Sequence, residues 1–549
     1  MKRMLVAMVV LSVAIASNAL FTSCCKSEVT LQVKTRQGVV EGFDQEGVKT
    51  FLGVPFAAAP VGDLRWRAPQ AAPSWKGVRE AKEFGDDPMQ PNVFGDMNFR
   101  GPARSEDCLY LNIWTCASST ADKLPVLIYF NGGGLLAGSG SEPRYDGAAI
   151  AREGVIGVTA NYREGIFGFL AHPELSAEEG GSGNYGHLDQ VAAIQWVRDN
   201  IEAFGGDPER ITIAGESAGS FSVALLMASP LSKELIAGAI LSSGAEMLPY
   251  EAIPLADAEA AGKARLEEKG IADIAAARAI PADDLQAMLP PLGMSRLVLD
   301  GVFMSETADE VFARGEQSAV PMLAGWNSLE GTPLQSLMGM EPNLNNYRKV
   351  MSAQFGDMTD EIFEAYGLKT DDDLFGQKGL NLAGDMFTGF CTWKACDYQS
   401  KIQDVFRYKY NHPRPRPSAK MGDMVGALAG GVREKTEAEK KASAPKFPMP
   451  VGAVHSADIE YAMGNLATNE FYDWQEEDYA ISKLFLSYYA NFCKNGNPNG
   501  EGLPQWDPLD SEGGKAPVMQ IDVESMQVDD PALENAYRTL EKFYLSRKK

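Results

Sequence analysis

Continuous apolar runs of strand length recur along the chain at residues 124–130, 155–161, 237–243 and 319–324. A strand solvated on one face alternates apolar and polar positions, whereas an unbroken apolar run belongs to a strand covered on both faces. Between the second and third runs, Val191, Ile194, Val197 and Ile201 fall at helical spacing, and Gly205-Gly206 follows, so residues 188–204 read as a helix with a glycine stop. Residues 210–214 form a short β-branched run that predicts a further strand, and residues 221–228 an apolar run that predicts a helix. Residues 105–112 begin another strand, and residues 50–78 are turn-rich with little periodicity. Strands alternating with helices predict an α/β protein whose sheet is largely parallel and covered on both faces. The stretch 413–450, proline-rich and then charged, reads as a solvated loop or short exposed helix.

Composition narrows the partners more than the fold. The chain has 549 residues, 45% hydrophobic and 23% charged, ordinary for a globular protein able to bury a large core. Its net charge is −24, so its field repels phosphate backbones and anionic headgroups, and nucleic acid is not an expected partner. Cys24 and Cys25 sit near the amino terminus, leaving Cys108, Cys116, Cys391, Cys396 and Cys493, an odd set in which at least one thiol is free or pairs between chains. Their spacing fits no zinc pattern and the chain has only 4 histidines, so neither a metal nor a cofactor is expected.

The amino terminus predicts export. A basic start, Met1-Lys2-Arg3, leads into an apolar run over residues 4–16, long enough for a signal peptide and short of a membrane span. Cleavage after Ala16 or Ala19 is one reading. The other is a loose lipobox over residues 21–24, with Cys24 as the lipidated first residue of an envelope-anchored protein. Either way residues 1–23 are a leader and 24–549 a single domain, with a periplasmic, envelope or secreted location, and no later segment is apolar enough to span a membrane.

The chemistry centres on Gly215-Glu216-Ser217-Ala218-Gly219, lying between the predicted strand and the predicted helix. A serine at such a corner needs a tight, strained turn, and glycines two residues to each side remove the Cβ atoms that would collide there. The turn presents Ser217 as a nucleophile and aims the Ala218 N–H at the same point. Asn131-Gly132-Gly133-Gly134 ends the first apolar strand, at the edge of the sheet where substrates bind. Gly133 and Gly134 are therefore the further oxyanion donors. An activated serine needs an imidazole. His172 precedes the serine, the wrong order for an elbow enzyme. His187 sits at a helix start as a structural residue, and His412 lies in an exposed proline-rich loop. His455, in a loop opening into a helix, remains. The acid should lie between serine and histidine on a loop after a strand, a condition Glu330 meets, with Asp300 as the alternative.

With these residues assembled, the chain resembles the type-B carboxylesterase family, which includes the cholinesterases and bacterial p-nitrobenzyl esterases. The markers are residues 51–55, 105–112, 161–163 with 168–170, 183–190 and 204–208, the serine elbow, and Gly452-Ala453-Val454-His455, all in one order. The resemblance implies an α/β-hydrolase fold, a small-molecule ester as substrate, Ser217, Glu330 and His455 as catalytic triad, and Gly133, Gly134 and Ala218 as oxyanion hole. It also implies two structural ion pairs, Arg65 with Glu106 and Arg163 with Asp189. Three positions depart from the pattern. Asn131 stands where an aromatic residue or histidine usually precedes the glycines, Leu329 where an aspartate usually precedes the acid, and residues 84–90 lack the half-cystine that usually pairs with the position of Cys108. A serine esterase follows from the retained triad. The alternatives are a catalytically silent binding protein of the same fold, or an enzyme cleaving an amide or thioester.

Overall fold

The computed structural model describes residues 28–95, 97–289, 297–426, 432–441, 451–510 and 516–547; the leader with Cys24, and parts of the 413–450 stretch, lie outside them. Among these residues the largest sheet has 11 strands. They are β1 (Phe43–Gln45), β2 (Val48–Pro55), β3 (Tyr110–Thr115), β4 (Leu124–Phe130), β5 (Ile156–Ala160), β6 (Gly206–Glu216), β7 (Gly238–Ser242), β8 (Met322–Asn327), β9 (Val405–Tyr410), β10 (Pro517–Ile521) and β11 (Met526–Asp529). The spatial order is β11-β10-β9-β8-β7-β6-β4-β5-β3-β2-β1.

The expected parallel sheet forms the centre, from β5 across to β10. Both margins are antiparallel, including β3 against β5, and β3 starts at Tyr110 rather than at residue 105. The link between β3 and β4 is too short to hold a crossover helix, so the chain reverses direction there.

The unbroken apolar runs have the cause the sequence suggested. In β4, Val126, Ile128 and Phe130 face a core layer with the helices α1 (Tyr185–Asn200) and α2 (Ala218–Ala228), packed against Ile194, Val197, Val223 and Leu226. Leu127 and Tyr129 face the opposite layer, against Phe485, Tyr489 and Phe492 of α3 (Glu476–Asn495). α1 passes into a single 3₁₀ turn over Ile201–Phe204 and stops at Gly205 in the left-handed conformation, φ 87°.

The topology also fixes where a site can form. From the end of β4 the chain returns to its neighbour β5 on one side, and from the end of β6 to β7 on the other. The loops leaving these adjacent strands diverge and open a crevice at their carboxyl ends. The triglycine follows β4 and the serine follows β6, so both enter that crevice.

Candidate active site

Ser217 has φ 53° and ψ −125°, a conformation ordinary side chains avoid. The surrounding contacts leave no alternative. A Cβ on residue 215 would lie 2.4 Å from the Gly219 carbonyl carbon, and one on residue 219 would lie 2.2 Å from the Phe130 oxygen. The Ser217 N–H donates to the Ser242 carbonyl at 2.9 Å, pinning the elbow to the end of β7. Ala218 is the first residue of α2, where an N–H has no intrahelical acceptor and stays free for a ligand.

His455 and Glu330 come from loops far apart in sequence and are joined by a short backbone bridge. Leu329 pairs with Val454 in parallel, the Leu329 N–H donates to the Ala453 carbonyl at 2.8 Å, and the Ala453 N–H donates to Ser328 Oγ at 3.0 Å. This clasp brings His455 Nδ1 to 2.5 Å from Glu330 Oε2 and His455 Nε2 to 3.0 Å from Ser217 Oγ. Glu330 Oε1 accepts from the Asn327 N–H and from Ser243 Oγ, both at 2.6 Å. Burial alone would raise this carboxyl, yet His455 and these donors hold it below its ordinary value.

Glu216 is a residue beside His455 that sequence reasoning did not single out. It fills the variable position of the elbow motif, where nothing local marks it. It is buried, with Oε1 at 2.7 Å from the Ser456 Oγ that donates to it and 3.2 Å from His455 Nε2. Burial pushes Glu216 up to about 7 against the pull of His455. Burial presses His455 the other way, but the Glu216 and Glu330 carboxylates overcome it and raise the imidazole to about 9. Asp458, one turn further on, is raised to about 6 by burial and accepts from Asn327 Nδ2 and the Tyr408 hydroxyl, each at 3.1 Å.

The other candidates lie elsewhere. Asp300 Oδ1 caps its own turn, accepting from the N–H groups of Val302, Phe303 and Met304. His172 caps a short helix through Nδ1 and the Glu174 N–H. His187 is buried between the rings of Phe169 and Phe303, and burial pushes it down to about 4, as suits a structural histidine. His412 corrects an expectation: it is buried rather than exposed, with Nε2 3.0 Å from Asp478 and Nδ1 3.2 Å from Asp522. These two acids arrive from distant segments, which the adjoining prolines could not announce.

The triglycine loop packs directly on the elbow, since a Cβ on residue 132 would stand 3.2 Å from Ser217 Cβ. Gly133 (φ 114°) and Gly134 (φ 67°) turn the loop back over the serine. Among the described residues no acceptor takes either N–H. Together with Phe94, Met97, Tyr145 and Phe387 they wall a pocket of about 40 Å³ over Ser217 and His455. A larger cleft of about 520 Å³ also reaches His455, between Leu329, Gln335, Arg414 and Tyr472.

Both expected ion pairs form and are bidentate, Arg163–Asp189 fully buried and Arg65–Glu106 partly so. Arg65 meets Glu106 through two contacts of 2.6 Å, and Arg163 meets Asp189 through two of 2.7 Å. All five described cysteines are free. Among the described residues no group of three or more His, Cys, Asp or Glu side chains is placed to hold a metal, and no helix is long and apolar enough to cross a membrane.

A serine elbow on a mixed sheet of this order defines an α/β-hydrolase, and comparison with known proteins gives the family. The carboxylesterase family profile matches residues 29–540, so the chain belongs to the carboxylesterase family. It is 41% identical over 387 residues to the fumonisin B1 esterase of Sphingopyxis macrogoltabida, covering 66% of this chain and 68% of that one. It is 32% identical over 495 residues to the cocaine esterase of Homo sapiens, covering 85% and 82%. Among solved structures, a PNB esterase superposes with a TM-score of 0.74 at 27% identity, covering 93% of this chain and 99% of its own. A carboxylesterase of Geobacillus stearothermophilus gives 0.75 at 30%, covering 92% and 100%. The fold is therefore the α/β-hydrolase fold, and the protein is a carboxylic ester hydrolase.

Proposed function

We propose that the protein cleaves small-molecule esters through an acyl-enzyme formed on Ser217. The observation that carries this reading is the single imidazole held between Ser217 Oγ at 3.0 Å and Glu330 at 2.5 Å. With its proton on Nδ1, donated to Glu330, His455 leaves Nε2 to take the serine proton as Oγ attacks the ester carbonyl. The carbonyl oxygen gains negative charge and meets the N–H groups of Gly133, Gly134 and Ala218. Collapse of this intermediate expels the alcohol, protonated by His455, and leaves the acyl group on Ser217. Water, deprotonated by the same imidazole, then attacks the acyl group and releases the acid. Mixing enzyme with a short-chain p-nitrophenyl ester should give a burst of nitrophenolate equal to the enzyme present before the steady rate. Hydrolysis with no burst at any pH or temperature where deacylation limits would count against an acyl-enzyme.

A thioester substrate is the second reading, favoured by a relative. The chain is 33% identical over 524 residues to a medium-chain fatty acyl-CoA hydrolase precursor of Anas platyrhynchos, covering 88% of this chain and 87% of that one. Comparing kcat/KM on an acyl-CoA and on the p-nitrophenyl ester of the same acid decides between the two bonds.

Export is proposed on the leader alone. Its basic start, short apolar core and Cys24 support a processed protein of residues 24–549 or a nearby start, folded as one domain. Intact mass of the processed protein separates a diacylated Cys24 from plain cleavage, and an unprocessed Met1 in the native host would refute both.

A further inference from the structure

Oxyanion donors on a glycine loop act only if their peptide planes are held, and glycine contributes no side chain to hold them. A peptide unit is planar and trans, so the carbonyl of one residue and the N–H of the next point in opposite directions. Gripping a carbonyl on the far side of the loop therefore aims the following N–H towards the site. Backbone does this for one plane: the Gly133 carbonyl accepts from the Leu136 N–H at 3.1 Å and the Ala137 N–H at 3.3 Å, which sets the Gly134 N–H.

The other plane is held by a side chain. Among the described residues no backbone N–H reaches the Gly132 carbonyl, whose partner is Asn131 Nδ2, donating at 3.0 Å. Asn131 Nδ2 also reaches Glu164 Oε1 at 3.0 Å, which accepts its second hydrogen. The Tyr162 hydroxyl donates to the Asn131 carbonyl at 2.7 Å, closing the residue on a third side. Glu164 is fixed in turn, because it follows Arg163, whose guanidinium is locked to Asp189. Asn131, Tyr162 and Glu164 are all buried, at 1%, 0% and 1% exposure, so these bonds form without competing water.

We propose that Asn131 and Glu164 are positioning residues of the oxyanion site: Asn131 Nδ2 holds the Gly132 carbonyl and so aims the Gly133 N–H, and Glu164 holds the Asn131 side chain in the rotamer that does this. The inference rests on the oxyanion role proposed above for Gly133. It also gives Asn131 a task at the position where the resembled family usually carries an aromatic residue or histidine. Burial raises the Glu164 carboxyl well above its ordinary value. That direction favours the uncharged acid, which accepts the amide hydrogen without a negative charge beside an oxygen that becomes negative in the reaction.

The test uses the full chain, a short-chain p-nitrophenyl ester, and an aryl trifluoromethyl ketone, whose hemiketal with a serine places an oxyanion in the hole. Asn131→Ala should lower kcat by about 10-fold to 100-fold, a fraction of the effect of losing a donor, with KM changed by less than about threefold. The ketone's Ki should rise by the same factor as kcat falls. Glu164→Leu should act in the same direction, and Glu164→Gln, which keeps a carbonyl oxygen at Oε1, should recover most of the loss. If Asn131→Ala does not fold, the two Glu164 variants carry the same comparison. A folded Asn131→Ala, or a folded Glu164→Leu, with unchanged kcat and Ki would overturn the proposal, as would a loss of kcat with Ki unmoved. Wild-type protein that binds the trifluoromethyl ketone no better than its methyl counterpart would remove the oxyanion reading and this inference with it.

Discussion

Glu216 Oε1 stands 3.2 Å from His455 Nε2, the same ring nitrogen that faces Ser217 Oγ at 3.0 Å. The imidazole therefore has a carboxylate on each side, Glu330 at Nδ1 and Glu216 at Nε2. Both favour imidazolium, which burial alone would suppress. In the proposed mechanism the first favours the cation that forms as serine is deprotonated. The second does so as well, and each also stabilises the protonated ring before any reaction.

With His455 as the proposed base, only its neutral form can accept the serine proton, so kcat/KM should fall as pH drops through the imidazole pKa, which the two carboxylates raise to about 9. Glu216→Gln keeps an acceptor for Ser456 Oγ but removes one charge. The acid limb of the kcat/KM profile should then move down by about one pH unit or more. A limb that stays put, or moves up, would show that Glu216 does not act on His455 through its charge.

Substitutions in the triglycine should separate catalysis from folding. Gly134→Val puts a β-branched side chain at φ 67° and should lower kcat by about two to three orders of magnitude, with the fold kept and the thermal midpoint lowered only by the local backbone strain. Gly133→Ala is harsher, because a Cβ there would lie 1.7 Å from the Ala137 oxygen and the loop must shift. It should lose at least as much activity and some stability too. Steady-state kinetics and thermal unfolding on both variants check this, and a full-rate Gly134→Val would take that residue out of the hole.

The Arg163–Asp189 pair makes a stability prediction. Both side chains are buried, at 3% and 0% exposure, and the Arg163 N–H also donates to Asp189 at 3.0 Å. Arg163→Met leaves a buried carboxylate with one backbone donor and should cost about 3 to 5 kcal/mol of unfolding free energy. Denaturant unfolding measures it, provided wild type unfolds reversibly. A loss below about 1 kcal/mol would mean the pair merely balances its own desolvation.

The parts legible in the sequence are those whose residue types have few other uses. A serine flanked by glycines between strand and helix, three glycines at a strand end, and apolar runs in β4, β5 and β7 each have one geometric meaning. What stayed illegible depends on partners distant in the chain. β9 alternates with Arg407 and Lys409, which argues against a strand buried on both faces. Yet Arg407 is buried against Glu534, and Lys409 donates to Asn381 Oδ1 at 2.9 Å. The clasp between Leu329 and Val454 that joins acid to base is likewise tertiary, as are the acids around His412. The pocket walls come from loops before β3 and after β4, β8 and β9, whose sequences follow no period that reveals which acyl or alcohol group they admit.

Covalent labelling tests the proposed nucleophile, Ser217, without knowledge of the substrate. A fluorophosphonate probe should add one equivalent to the folded protein, mapped by mass spectrometry to the peptide holding residues 215–219. His455→Ala should slow labelling by about four to six orders of magnitude, since the pair acts as one unit, and Ser217→Ala should abolish it. Label that persists at full stoichiometry in folded Ser217→Ala, or that maps to another peptide in wild type, would contradict the account.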